Sequence, residues 1–198
     1  MTENTTPQPP SDQMYLPRFF VKQKFAMTTN RYDIVEATPD GGEGKLMALA
    51  QQKRLAFKEE VTFYTDDTKV RPVFSFKARK RIDLNSGYDI YDESRQQIGF
   101  FRKDFGASLL RSTFHVEGPG FTGTGQERSQ LVAILRRFTD LPFLSVHFDF
   151  LSAEGTPLMS VDRQFKLRDR YTVEVPDSRV DFRVAAAIAV GLDALMQR

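Results

Sequence analysis

The sequence predicts a mainly β fold, in which a closed antiparallel barrel of about 12 strands encloses a hydrophobic C-terminal helix. One short additional helix is expected on the surface of the barrel. Three observations predict it: short alternating segments separated by turns, a recurring strand–turn–strand unit, and a C-terminal stretch that is apolar on every side. A chain of 198 residues fits one domain and can bury a substantial core.

The N-terminal stretch, MTENTTPQPPSDQ, has neither the basic segment nor the apolar run of a signal peptide or an anchor. Its content of Thr, Pro, Asn and Gln predicts a disordered tail over residues 1–13. The barrel domain is therefore expected to span residues 14–198.

One hairpin pattern recurs along the chain. Tyr32–Val35, Tyr88–Tyr91 and Phe148–Leu151 each lead into a polar turn and a second strand, and a weaker copy begins at Phe114–Val116. In each copy a polar residue stands between two apolar ones, so the period of two sends the apolar pair inward and the Asp or His outward. Several hairpins in series leave unpaired edges, which closure into a barrel removes.

The C-terminal stretch predicts a buried helix. Val184–Leu192 is an uninterrupted apolar run of nine residues, whereas a membrane span needs roughly 20. The run is apolar around its whole circumference, which is typical of a buried helix. Because a barrel of about 12 strands has a lumen wider than its own side chains can fill, we expect the helix from about Asp181 to Met196 to run through it.

Charged residues flank this helix. Unpaired buried charge is costly, so Asp181, Arg183 and Asp193 are expected to lie near the helix ends or to pair. Asp181 suits the first turn, where it meets the positive end of the helix dipole, and Arg198 suits the other end.

Three segments resemble a known superfamily: YDIYDESRQQIGFFRK, the approach from Asp169 to Val184, and AAAIAVGLDAL from Ala185 to Leu195. From about Tyr15 onward the chain is similar to the LURP-one-related proteins and phospholipid scramblases, which share the tubby C-terminal-like fold. The resemblance implies a twelve-stranded barrel around a hydrophobic helix. It also implies binding of phosphoinositides or other anionic lipids, or a role near bilayers.

The chain departs from the scramblases in several features. It has no Cys, which excludes a palmitoylated cysteine cluster, disulfides, thiolate zinc sites and thiol nucleophiles. A long proline-rich N-terminal arm is also missing, and VPDSRVD offers only Asp177 and Asp181, too few carboxylates for a calcium loop. Calcium-driven scrambling is not expected.

Two alternating segments carry cations on one face. At about 3.4 Å per residue, three such cations lie within about 14 Å and could hold a multivalent phosphate headgroup. The alternative is a solvated outer face whose charges protect a strand edge. The candidate residues are Lys77, Arg79 and Arg81 in VFSFKARKRI (Val73–Ile82), and Lys166, Arg168 and Arg170.

A glycine-rich stretch offers a competing interpretation. Gly118–Gly123 fits G-x-G-x-x-G and precedes QERSQLVAILRRF, which has helical spacing. Dinucleotide-binding folds need several βαβ units, whereas this chain alternates hairpins and offers two helix candidates. The glycines are therefore expected to shape a loop before a surface helix from about Glu127 to Phe138. The arginines of that helix would face a membrane, or the helix would close one barrel end.

The remaining composition indicates little further chemistry. A net charge of +2 provides no drive toward nucleic acid. His115 and His147 are expected to face solvent, no catalytic constellation stands out, and no metal or cofactor is expected.

The sequence therefore predicts a non-enzymatic, cytoplasmic binding module for anionic phospholipid headgroups or another phosphorylated ligand, peripheral at the membrane where it meets lipid. A structural or protein-interaction barrel is the alternative, and nucleotide binding through Gly118–Gly123 is the third hypothesis. No protein partner is indicated.

Overall fold

A computed structural model of the chain describes residues 14–25, 29–53, 60–79, 87–104, 112–128, 147–164 and 170–196. Within these ranges the chain forms twelve strands and, after them, one helix. The strands are β1 (Arg18–Phe25), β2 (Thr29–Ala37), β3 (Glu43–Lys53), β4 (Val61–Tyr64), β5 (Pro72–Ala78), β6 (Tyr88–Asp92), β7 (Gln97–Asp104), β8 (Thr113–Gly118), β9 (Phe121–Glu127), β10 (His147–Ser152), β11 (Pro157–Gln164) and β12 (Arg170–Glu174), and the helix is α1 (Phe182–Met196).

The strands form one closed antiparallel barrel. Each pairs with its neighbours in sequence, and β12 pairs back with β1, where Phe20 lies opposite Thr172. Closure pairs both sides of every strand and leaves no sheet edge. The predicted fold class is confirmed.

The alternation of side chains explains why these segments form the wall. Tyr88 and Ile90 are buried on the inner face of β6, whereas Asp89 between them lies half-buried on the outer face. Phe148 and Phe150 lie inward in the same way, with Asp149 outward. The predicted inward and outward positions are confirmed in these hairpins.

The helix α1 occupies the lumen of the barrel. All its described side chains, those of residues 182–193 and 195, are buried, and it contacts β1, β5, β6, β7 and β12 around its circumference. Phe182 packs edge-on against Phe19 and Phe74, with ring centroids 6.4 and 6.3 Å apart. A Cβ at Gly191 would lie 2.4 Å from the Phe101 ring, so the glycine lets the wall approach the helix backbone.

An ion pair closes the start of the helix. Asp181 stands just before the first helical residue and accepts a hydrogen bond from the backbone N–H of Arg183 at 2.8 Å. The Arg183 guanidinium donates to Asp181 and to Glu93, each at 2.8 Å. Asp181 is therefore the N-cap residue of the helix, one residue before the helix begins, whereas the sequence predicted it in the first turn.

Two tyrosine hydroxyls hold the charged residue near the other end of the helix. The carboxylate of Asp193, which is 4% exposed, accepts hydrogen bonds from the Tyr32 hydroxyl at 3.0 Å and from the Tyr171 hydroxyl. Burial, together with the charge of Asp193, raises the pKa of both phenols. The expectation that the helix charges pair or lie at its ends is confirmed for Asp181, Arg183 and Asp193, whereas Arg198 lies outside the described residues.

The glycine-rich stretch forms a hairpin turn. Gly118 and Phe121 are the last register pair of β8 and β9, and the turn between them contains Gly120 with a φ of +75°. A dinucleotide-binding turn leads instead into a helix, whose N-terminus holds the pyrophosphate. The predicted helix cannot begin at Glu127, because Glu127 ends β9. Residues 129–146, which hold most of that predicted helix, lie outside the described ranges.

Candidate functional site

Lys77 lies exposed on the outer face of β5. Asp89 stands opposite it on β6, but Lys77 makes no hydrogen bond or ion pair with any residue of the described ranges. The predicted outward position of Lys77 is therefore the one observed. The hydrogen bond from Arg95 and, to a smaller extent, the nearby charge of Lys77 lower the pKa of Glu60.

Arg79 follows the end of β5 and is held in place by two partners. Its guanidinium pairs with Asp89, with Nη2 2.8 Å from Oδ1, and lies 3.9 Å from the centroid of the Phe100 ring. The hydrogen bond to Asp89 raises the pKa of Arg79. An anionic ligand would therefore have to displace Asp89 from the Arg79 guanidinium.

The start of β6 supports this arrangement. The backbone N–H of Arg79 donates to the carbonyl of Gly87 at 3.0 Å. Gly87 has a φ of +80°, and a Cβ there would lie 2.5 Å from the Phe100 ring and 2.8 Å from Cβ of Arg102. Only glycine fits this conformation and this approach. Arg79, Phe100 and Arg102 are thereby gathered on one part of the outer wall.

Arg102 is a cation that the sequence reasoning did not assign to the site. It lies exposed on the outer face of β7 and has no hydrogen bond or ion pair within the described ranges. Its neighbour Lys103 lies on the other face and donates to the carbonyl of Leu195 at 3.4 Å. Alternation from the buried Phe101 was the signal that could have separated the two residues of this basic pair.

The second predicted set lies on another wall. Arg170 begins β12, approaches Glu43 at 3.5 Å and lies 4.4 Å from the centroid of the Phe20 ring. β1 to β4 separate β12 from β5 along one side of the barrel, and β6 to β11 along the other. The two strands are antiparallel, however, so β5 ends and β12 begins at the same end of the barrel.

The remaining predicted cations, Arg81, Lys166 and Arg168, lie outside the described residues. The full set therefore stays a prediction.

The two histidines pair with carboxylates of neighbouring strands. His115 Nε2 lies 3.0 Å from Asp104 Oδ2, and His147 Nδ1 lies 2.5 Å from Asp162 Oδ1. Both rings are partly exposed on the outer wall, on β8 and β10. Within the described ranges no group of three or more His, Cys, Asp or Glu residues is placed to hold a metal ion.

None of the helices in the described part of the chain has the length and the hydrophobicity needed to cross a bilayer.

The fold defines a twelve-stranded antiparallel barrel closed around a buried C-terminal helix. Residues 47–193 match the family described as LURP-one-related, and the chain belongs to that family. No curated protein matches the sequence. A porin-like protein from Bacteroides uniformis is similar over 82% of this chain and 97% of its own, at 8% identity and a TM-score of 0.22, which is too low to support an argument about this chain.

Proposed function

We propose that this protein is a non-enzymatic binding module that contacts anionic phospholipid headgroups or another phosphorylated ligand through its outer barrel face. The observation that carries the proposal is the group formed by Lys77, Arg79 and Arg102 on and beside β5 and β7, called the basic wall below. Two of its cations, Lys77 and Arg102, make no hydrogen bond or ion pair within the described ranges, and the third, Arg79, lies over the Phe100 ring, 3.9 Å from its centroid. Membership in the LURP-one-related family fits a barrel of the lipid-binding type.

The placement of Arg170 favours an extended anionic surface over a single headgroup. Arg170 stands on a different wall from Arg79 but at the same barrel end. A headgroup on the basic wall would not reach Arg170, whereas a lipid surface facing that end would approach both. Each Lys or Arg near an anionic membrane contributes about 1 kcal/mol, within a Debye length of roughly 8–10 Å.

Asp89 sets the affinity that the basic wall can reach. It neutralises Arg79 in the free protein, so Lys77 and Arg102 make the first contact with an anion. The Arg79 guanidinium can then turn from the carboxylate to a phosphate, to which it offers the same two parallel N–H donors. Binding is therefore expected to be weak and to decrease as salt increases.

Co-sedimentation with phosphatidylserine-containing vesicles at low and moderate salt tests the proposal, with phosphatidylcholine vesicles as the neutral reference. The test variant replaces the basic wall, and the control removes the same charge elsewhere on the barrel. The test substitutions are Lys77→Ala, Arg79→Ala and Arg102→Ala, and the control substitutions are Lys45→Ala, Lys69→Ala and Arg71→Ala.

The test variant is expected to lose most of its binding to phosphatidylserine vesicles, while the control keeps most of it. Equal losses in the two variants would show that only net charge matters, and unchanged binding of the test variant would place the contact elsewhere. Either result would overturn the basic wall as the site.

A further inference from the structure

A groove crosses the outer wall over β10, β11, β12 and β1, away from the basic wall. Its volume is about 550 Å³, within the range of roughly 300–1,000 Å³ that is usual for small-molecule sites. Such sites are mostly apolar and carry a few polar groups that orient the ligand. The groove likewise has an apolar part and a row of polar side chains, called the polar row below.

The polar row runs straight across four strands. Asp149 lies opposite Ser160, Ser160 lies opposite Glu174, and Glu174 lies opposite Arg18. Residues directly opposite each other in antiparallel strands have Cβ atoms about 4.5–5.5 Å apart. Neighbouring side chains of the row therefore stand within reach of one ligand headgroup.

The members of the row differ in how far they are satisfied. Both carboxylate oxygens of Asp149 accept hydrogen bonds from Arg128, at 2.8 and 2.5 Å. This hydrogen bonding lowers the pKa of Asp149. Glu174 has Arg18 Nε at 3.6 Å, too far for a hydrogen bond, and the Ser160 hydroxyl makes none with the described residues. Glu174 is therefore ion-paired with Arg18 but accepts no hydrogen bond within the described ranges, and neither does the adjacent Ser160 hydroxyl.

The apolar part of the groove adjoins these acceptors. Leu151 and Tyr15 are 41% and 40% exposed, although large apolar side chains on this barrel are mostly buried. The Tyr15 hydroxyl donates to the carbonyl of Val175 at 2.8 Å, which fixes its ring against the wall. Met159, which is 3% exposed and lies opposite the buried Phe150, is under the groove on the inner side of β11. An apolar ligand body would remove this surface from water.

We propose that the groove binds a small amphiphilic amine, with its protonated amino group on Glu174 and Ser160 and its apolar body along Tyr15 and Leu151. An ammonium group carries three donors and no acceptor, which complements a carboxylate beside a hydroxyl. A carboxylate-headed amphiphile would meet Glu174 with like charge. Arg18, which is half-exposed and makes no hydrogen bond to Glu174, would give up its ion pair with Glu174 to the ligand.

The test compares octylamine with octanol, which has the same apolar body without the charge. Titration calorimetry gives the affinities, and methionine methyl signals in NMR spectra locate the ligand, since Met159 lines the groove and Met47 on β3 does not. Glu174→Gln removes the charge and keeps the shape. Glu117→Gln is the matched control, because Glu117 is an exposed carboxylate on β8.

Octylamine is expected to bind at least about tenfold more tightly than octanol, a difference of about 1.4 kcal/mol. It should shift the Met159 signal and leave that of Met47 in place. Glu174→Gln should reduce octylamine to the affinity of octanol, and Glu117→Gln should change neither. Equal affinities in the parent protein, an unchanged preference in Glu174→Gln, or a shift at Met47 alone would each overturn the proposal. The basic wall can fail its own test without affecting this one.

Discussion

The two ends of the buried helix are closed by different chemistry. At the start of α1, Arg183 is neutralised by two carboxylates, Asp181 and Glu93. At the other end, the Asp193 carboxylate is held by the uncharged hydroxyls of Tyr32 and Tyr171. One end therefore depends on an ion pair, whereas tyrosine hydroxyls that remain protonated contribute at the other end.

The helix dipole explains why both ends need partners. Asp181 at the positive helix start is favourable, but Arg183 beside it is not, so Arg183 requires its carboxylates. Asp193 stands near the negative helix end, where a carboxylate is unfavourable, and two donors offset that cost. The two ends should therefore respond differently to substitution and to pH.

The largest effect is expected from a substitution in the middle of the helix. Ala187→Asp would place a carboxylate in the middle of α1, at a position that is 0% exposed. An unpaired charge in a packed lumen should destabilise the fold by more than about 4 kcal/mol. Ala153→Asp, in an exposed turn, is the matched control. Thermal unfolding should show loss of the cooperative transition for the first variant alone, and a parental melting temperature would argue against a filled lumen.

At the start of the helix, Arg183→Ala leaves Asp181 buried without its guanidinium partner. Breaking a buried ion pair costs about 3–5 kcal/mol. Arg179→Ala removes an arginine that pairs with Asp177 on the surface, and surface pairs contribute about 0–1 kcal/mol. Urea unfolding measures both, and equal values would refute the assignment of a buried pair to Arg183.

At the end of the helix, Tyr171→Phe removes one of the two tyrosine hydroxyls that donate to Asp193. Leaving a buried acceptor short of one hydrogen bond costs about 1–3 kcal/mol. Tyr64→Phe is the control, because Tyr64 is half-buried and its hydroxyl makes no hydrogen bond within the described ranges. Urea unfolding should give a clearly lower stability for Tyr171→Phe than for Tyr64→Phe. Equal stabilities would contradict the stabilising role of the Tyr171 hydroxyl.

The smallest effect is expected in the dependence of stability on alkaline pH. Folding raises the pKa of Tyr32 and Tyr171, so their contribution to stability is complete below the unfolded pKa of about 10 and is lost as the pH rises beyond it. Urea midpoints measured from pH 7 to pH 11 should fall above about pH 10. The fall should be shallower in Tyr171→Phe. Parallel curves for the two proteins would contradict this origin of the alkaline loss.

The sequence contained enough to predict the barrel and its helix. Alternation placed Tyr88 and Ile90 inward, and an apolar run without a polar face required an enclosure for α1. Both signals are local, because the period of a segment reports which of its faces is buried. Glu127, near which the surface helix was predicted to begin, ends β9, and residues 129–138 of that predicted helix lie outside the described ranges.

The partners of the charged groups could not be predicted in this way. Tyr32 and Asp193 are 161 residues apart in the sequence, and their contact depends on the register of the barrel and on the position of the helix within it. The same reason hid the pairing of Arg79 with Asp89, and the alignment of Ser160 with Glu174 across two strands. Alternation shows which face a residue occupies, whereas strand register decides what it meets.

Hydrogen exchange of the α1 amides tests most directly whether the helix fills the barrel. If the wall encloses it, the amides of residues 184–193 should exchange only through global unfolding, with free energies equal to that of the whole protein and equal to those of the central β5 and β7 amides. Exchange of those helix amides at markedly lower free energy than the strands would show that the helix opens to water by itself, and would contradict the enclosed arrangement.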